Sequence, residues 1–199
     1  MVLSISDEVL FGPRLVALLG SNGAGKTTLL QVLGGLTVPK TGTVTLNGDN
    51  VQNGAVRAKI AFVPDRPVLF DDISLGDTRR HVLTLARSAV PDPLGADLWG
   101  GFELENLRKC FPFELSRGQR QKATLAIGLS RPANLVLLDE PTIALDDNAR
   151  AVLANALEAA AKRTLILFAT HDEELASNAN LTYRLEDGQL EQGNQFEEQ

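Results

Sequence analysis

The sequence predicts an α/β fold: a mostly parallel sheet, a small antiparallel β piece and an inserted α-helical subdomain. Three observations predict it. Short strand-like runs alternate with helical patterns along the 199 residues. Several runs are nearly unbroken Val, Ile and Leu, as in strands covered on both faces. Between Ala89 and Phe113 the texture changes, inside a longer stretch whose only periodicity is helical.

The strand-like runs fall at 15–19, 43–46, 60–63, 135–138, 164–168 and 183–185. The second alternates and runs into Asn47-Gly48, a hairpin turn signal, which places the antiparallel piece there. Helices are expected after Lys26 and at 74–89, 116–129 and 148–161. Ser74-Leu75-Gly76-Asp77 resembles a capping box, with Asp for the usual Glu. Pro91, Pro93, Gly95, Gly100 and Gly101 read as breaks, leaving 103–109 as the helical piece of that region. We therefore expect a single domain over 1–199, with an α/β core from 1–70 and 131–199 and a helical subdomain at 71–130. Five of the ten aromatics (Phe70, Trp99, Phe102, Phe111 and Phe113) fall within or beside that subdomain. No internal repeat is visible, and 192–199 reads as a polar tail.

The composition, 44% hydrophobic and 22% charged, is that of a soluble globular chain. A net charge of −6 without a basic run argues against a nucleic-acid partner. The single cysteine, Cys110, excludes an intrachain disulfide and suits a reducing cytosol. No run approaches the length of a membrane span, and 1–10 lacks the layout of a signal peptide. Action at a membrane would then go through a partner.

Chemistry enters at Gly20-Ser21-Asn22-Gly23-Ala24-Gly25-Lys26-Thr27-Thr28, directly after the first strand-like run and before a helical pattern. This is G-x-x-x-x-G-K-T in the context it requires, and it predicts a P-loop NTPase core. Its glycines let successive N–H groups turn inward as an anion nest, and the helix that follows adds its positive dipole end. Lys26 can reach the outer phosphates of ATP, and Thr27 can ligate Mg²⁺.

Further on, Leu115-Ser116-Arg117-Gly118-Gln119 opens a helix, with Ser116 a good N-cap. The run 135–138 ends in Asp139-Glu140, followed by Pro141-Thr142-Ile143-Ala144-Leu145-Asp146. The run 164–168 leads to Thr170-His171-Asp172. With these segments in order, the chain resembles the ATP-binding-cassette (ABC) ATPases over about 12–188. The resemblance implies a head-to-tail dimer in which one subunit's phosphate loop and the other's Ser116-Gly118-Gln119 element enclose each ATP. It implies that Asp139 is the Mg²⁺-linked carboxylate, Glu140 the general base for the attacking water, and His171 the residue that steadies that water.

Three departures from the family pattern stand out. Arg117 replaces the usual Gly of the signature and adds a positive charge near the nucleotide. Asp65, within Phe62-Val63-Pro64-Asp65-Arg66-Pro67, occupies the place of a Gln that links Mg²⁺ to the subdomain; a carboxylate there could hold the ion through water. Phe11 is the only aromatic before Gly20 and is expected to pack under the sheet rather than on adenine, so base recognition is expected to be weak.

The resemblance implies an Mg²⁺-dependent ATPase, as a homodimer or heterodimer with another ABC ATPase. It would power a separate membrane-spanning transporter subunit from the cytoplasmic face. Residues 64–72 look more like exporter ATPases than importers. The alternative is a soluble, non-transport ABC ATPase acting in iron–sulfur assembly, DNA maintenance or translation. The clustered aromatics suit a docking groove.

Overall fold

The computed structural model describes residues 12–87 and 92–193. Phe11, residues 88–89 of the expected 74–89 helix and most of the expected tail lie outside the described residues; within them that helix already stops at Leu85, capped at Ala86. Six strands form the main sheet in the order β4-β5-β6-β1-β7-β8. They are β1 (Arg14–Leu19), β4 (Ile60–Val63), β5 (Leu135–Asp139), β6 (Leu165–Thr170), β7 (Leu181–Glu186) and β8 (Gln189–Gln192). Every pairing is parallel except β7 with β8. A separate antiparallel pair, β2 (Thr45–Leu46) and β3 (Asp49–Asn50), closes around Asn47 and Gly48, both at positive φ as a primed turn demands.

The nearly continuous apolar runs are explained by two cores, one on each face of the sheet. In β1, Leu15 and Ala17 enter one cluster while Val16 and Leu18 enter the other. The same alternation divides Val136 and Leu138 from Leu135 and Leu137 in β5. Helix α1 (Lys26–Leu33) and the short α2 (Gly54–Arg57) cover one face, through Leu29, Leu30 and Val56. The other face is covered by α3 (Leu75–Leu85), α4 (Pro93–Gly101), α5 (Arg117–Gly128) and α6 (Asp147–Ala161). A one-turn helix, α7 (Glu173–Ser177), precedes β7.

Everything from α3 to α5 lies between β4 and β5, which are neighbours in the sheet. Pro91 lies outside the described residues; the structure corrects the breaks expected at Pro93, Gly95, Gly100 and Gly101. Residues 93–101 form α4: Pro93 sits at the helix start, where its missing N–H costs nothing, and the Asp92 side chain accepts from Leu94 N at 3.0 Å. Its glycines mark close packing. A Cβ on Gly95 would meet Ser130 Cα at 2.4 Å, and one on Gly101 would meet Val152 Cγ1 at 2.5 Å. The expected 103–109 helix reduces to a 3₁₀ turn at Leu104–Leu107. It is pinned by Trp99 Nε1 donating to Glu105 Oε2 at 3.1 Å, with the Arg79 guanidinium 4.4 Å from the Trp99 ring centroid.

Strand β8 was not anticipated. Asp187 and Gly188, both at positive φ, turn β7 back into it, and Gln192 is its last residue instead of the start of a tail. The clustered aromatics divide between two roles. Trp99 and Phe102 are buried in the shared core, whereas Phe70, Phe111 and Phe113 are exposed.

Candidate nucleotide site

Parallel α/β sheets bind ligands beyond the carboxyl ends of their strands. Here those ends bring together the 20–28 loop after β1, Asp65 after β4, Asp139 and Glu140 at the end of β5, and His171 after β6. Gly23 and Gly25 adopt φ of 84° and 105°, so the loop reverses and Gly25 starts α1 from the left-handed region. Gly20 is needed for a different reason: a Cβ there would lie 2.6 Å from Leu185 O. Ser21 O accepts from Ala24 N at 3.2 Å, tightening the loop. Ser21, Asn22, Thr27 and Thr28 are exposed while Ala24 is buried.

Lys26 is buried and faces inward. Its Nζ donates to Gly20 O at 2.7 Å and pairs with Glu140 Oε1 at 3.3 Å. The other Glu140 oxygen, Oε2, lies 2.8 Å from His171 Nδ1 and accepts the His171 N–H at 3.3 Å. A carboxylate only accepts, so Nδ1 carries a proton, and the Nε2 of a neutral ring is the free acceptor. Glu140 itself sits at φ 47°, a costly angle for a non-glycine, held by its N–H donating to Ala169 O at 2.8 Å. Lys26, Glu140 and His171 thus form one connected chain.

Beside it, Thr27 Oγ1 donates to Asp139 Oδ2 at 2.6 Å. Asp139 is buried and its Oδ1 has no hydrogen-bond partner. Burial raises its carboxyl above the ordinary Asp value, and the Asp65 and Glu140 charges push the same way against the Thr27 hydrogen bond and Lys26. An orphaned carboxylate oxygen beside a hydroxyl fits a hard divalent cation. Among the described residues no three His, Cys, Asp or Glu cluster as a metal cage.

A raised native pKa means that Asp139 destabilises the fold once ionised. The associated stability is present below the unfolded value near 3.8 and is lost as pH rises through the native value. Asp139→Asn is therefore expected to raise the melting temperature in chelator-containing, nucleotide-free buffer, by more at neutral pH than at a pH below 3.8. Thermal unfolding at the two pH values checks this.

The signature element stands apart from the phosphate loop. Ser116 Oγ accepts from Gln119 N at 3.2 Å and Gln119 Oε1 accepts from Ser116 N at 2.9 Å, a capping box at the start of α5. A Cβ on Gly118 would lie 2.8 Å from Ala144 O, so its close approach is to its own chain. Among the described residues, the side-chain hydrogen bonds of Ser116 and Gln119 go to each other, and none reaches 20–28. Asp65 and Arg117, two of the departures from pattern, line one cleft of about 350 Å³ with Arg66, Pro67, Gln121, Ile143 and Ala144. Asp65 is near enough to Asp139 to be felt as charge without bonding to it. Two residues the sequence did not flag, Arg150 and Asp172, pair at 2.8 Å next to His171. Only the position of Asp172, adjacent to His171, could have drawn attention to them.

The family model described as ABC transporter matches residues 10–143. The chain belongs to the ABC transporter ATP-binding family. It is 34% identical over 200 residues to the Fe(3+) ions import ATP-binding protein FbpC 2 of Pectobacterium atrosepticum, covering 96% of this chain and 58% of that one. It is 33% identical over 196 residues to the SkfA peptide export ATP-binding protein SkfE of Bacillus subtilis, covering 94% and 81%. The chain spans about half the length of several such relatives, 47% in the case of the sulfate/thiosulfate import ATP-binding protein CysA 2 of Rhizobium meliloti. The fold is that of the dimeric ATP-binding cassette MJ0796 bound to ADP and Pi, with a TM-score of 0.87 at 23% identity, covering 98% of this chain and 91% of that one. The ATP binding subunit of an ABC transporter superposes with a TM-score of 0.79 at 28% identity, covering 92% and 79%.

Proposed function

We propose that this ABC chain hydrolyses ATP in a head-to-tail dimer and so drives transport through a separate membrane-spanning subunit. One observation supports it above the rest: the Lys26–Glu140–His171 chain lies beside the Thr27–Asp139 pair, at the mouth of a phosphate loop. Lys26 and the loop N–H groups bind the phosphates, with the N–H groups at the start of α1 adding their partial positive charge. Glu140 takes the proton of the attacking water, and the free His171 Nε2, an acceptor, orients that water by taking its other hydrogen bond. Thr27 and Asp139 would hold Mg²⁺, with Asp65 reaching it through water; its chemistry there is neutralisation of phosphate charge.

Ser116, Gly118 and Gln119 sit at the N-terminus of α5 and make no hydrogen bond to the phosphate loop of their own chain. A second chain placed head to tail would bring that terminus over the open side of the terminal phosphate, adding donors and excluding water. The partner cassette is a second copy or another ABC ATPase. No described helix is long and apolar enough to cross a membrane. The spanning part, and the place at the cytoplasmic face, would come from a partner docked on exposed Phe70, Phe111 and Phe113. The relatives are named for import and for export at near-equal identity, so likeness does not separate the directions. The exporter reading rests on residues 64–72 alone.

Purification of the tagged chain from solubilised membranes tests this reading. Co-purification of a polytopic protein that raises ATP turnover is expected; recovery of a wholly soluble complex would contradict transport.

A further inference from the structure

We propose that Arg150 is a positioning residue that holds His171 against Glu140, by strapping the loop after Glu140 to the loop that carries His171. The proposal rests on the hydrolytic reading above and deepens it. Arg150 lies in the first turn of α6, just past the Asp146 cap. Its Nε donates to Leu145 O at 3.4 Å and its Nη1 to Asp172 Oδ2 at 2.8 Å. One side chain therefore holds both segments that flank the Glu140–His171 contact.

His171 needs such a strap. Its side chain is 64% exposed, and both of its hydrogen bonds among the described residues go to a single atom, Glu140 Oε2. With most of the ring in solvent, its direction follows chiefly from where the backbone at 171 is placed. Asp172 fixes that backbone. Its N–H donates to Thr170 Oγ1 at 3.0 Å, its Oδ1 caps α7 by accepting from Leu175 N at 3.1 Å, and its Oδ2 takes Arg150. The Asp172 side chain is 12% exposed, so its charge is better shielded from water than that of a surface pair. The other end is anchored too. Asp146 Oδ1 accepts from Ala149 N at 2.8 Å, and its Oδ2 pairs with Lys122 of α5 at 2.7 Å. The strap therefore continues from His171 through α6 to the helix that carries Ser116.

The chain has two histidines, His81 and His171, so imidazole ¹⁵N–¹H spectra of the nucleotide-free protein contain two ring systems. In the wild type, His171 is expected to show a protonated Nδ1 held on Glu140. Arg150→Ala and Asp172→Asn are both expected to move the His171 signals toward a ring exchanging between tautomers, and to leave His81 unmoved. Asn still caps α7, so the second variant removes the charge without removing the cap. Arg150→Lys is expected to restore the wild-type pattern in part. In turnover, kcat should fall about tenfold with KM for ATP unchanged, the mark of lost alignment rather than lost binding. The double variant should be no worse than either single one, because the two residues act as a unit. His171 signals identical to wild type in Arg150→Ala and Asp172→Asn would overturn the proposal. The spectra are taken without nucleotide, so they decide the strap even where ATP turnover fails.

Discussion

Glu140→Gln is expected to lower ATP turnover by about 10²–10⁴-fold while leaving nucleotide binding intact. The substitution keeps the shape of the side chain and its reach toward His171 Nδ1, now 2.8 Å from Glu140 Oε2. It removes the carboxylate proposed to take a proton from water. It also frees Lys26, whose Nζ is paired with Glu140 Oε1 at 3.3 Å. Phosphate no longer has to displace that carboxylate, so affinity for ATP is expected to hold or rise. Closed dimers should therefore accumulate with ATP and Mg²⁺. Turnover assays with light scattering read both effects, and near wild-type hydrolysis would remove Glu140 from its role.

Lys26→Ala should abolish nucleotide binding and also weaken the fold. Lys26 and Glu140 side chains are 7% and 12% exposed, so the pair is largely removed from water. Breaking such a pair from one side leaves the other charge uncompensated, at a cost of about 3 kcal/mol. For a chain of this size that lowers the melting temperature by about 6–12 °C. The double variant Lys26→Ala/Glu140→Gln is expected to recover most of the lost stability and none of the binding. Thermal unfolding with nucleotide titration separates the two effects. Equal melting temperatures for the single and double variants would show that Glu140 is not left stranded.

The phosphate loop, Asp139, Glu140 and His171 were readable because each sits at a strand end in a local pattern that chemistry constrains. Their assembly was not readable from spacing. Glu140 meets Lys26 and His171 only through the strand order, which sets β1 and β5 on either side of β6. The resemblance to ABC ATPases supplied that step. Helix α4 was misread because Pro93, Gly95 and Gly101 look like breakers, and only the fold shows what Gly95 and Gly101 touch. Strand β8 was missed although Asp187-Gly188 is a hairpin signal, because the strand it returns is short and mostly polar. Asp172 was visible only as the neighbour of His171, and Arg150 left no mark: an arginine in a helix is ordinary until the chain folds it against an aspartate after a strand. The Asp65 and Arg117 departures were visible in sequence, but their sharing of one cleft was not.

The claim on which the functional reading turns is that each ATP site is built from two chains. Two inactive variants, mixed, test it directly. Lys26→Ala/Glu140→Gln has no working phosphate loop but keeps Ser116. Ser116→Asp keeps the cap of α5 yet sets a negative charge where a phosphate should come, and retains Lys26 and Glu140. Mixed in equal amounts, they form dimers in which one site has both intact halves, and turnover should return to about a quarter of the wild-type value. A mixture as inactive as its two components would contradict a site shared between chains.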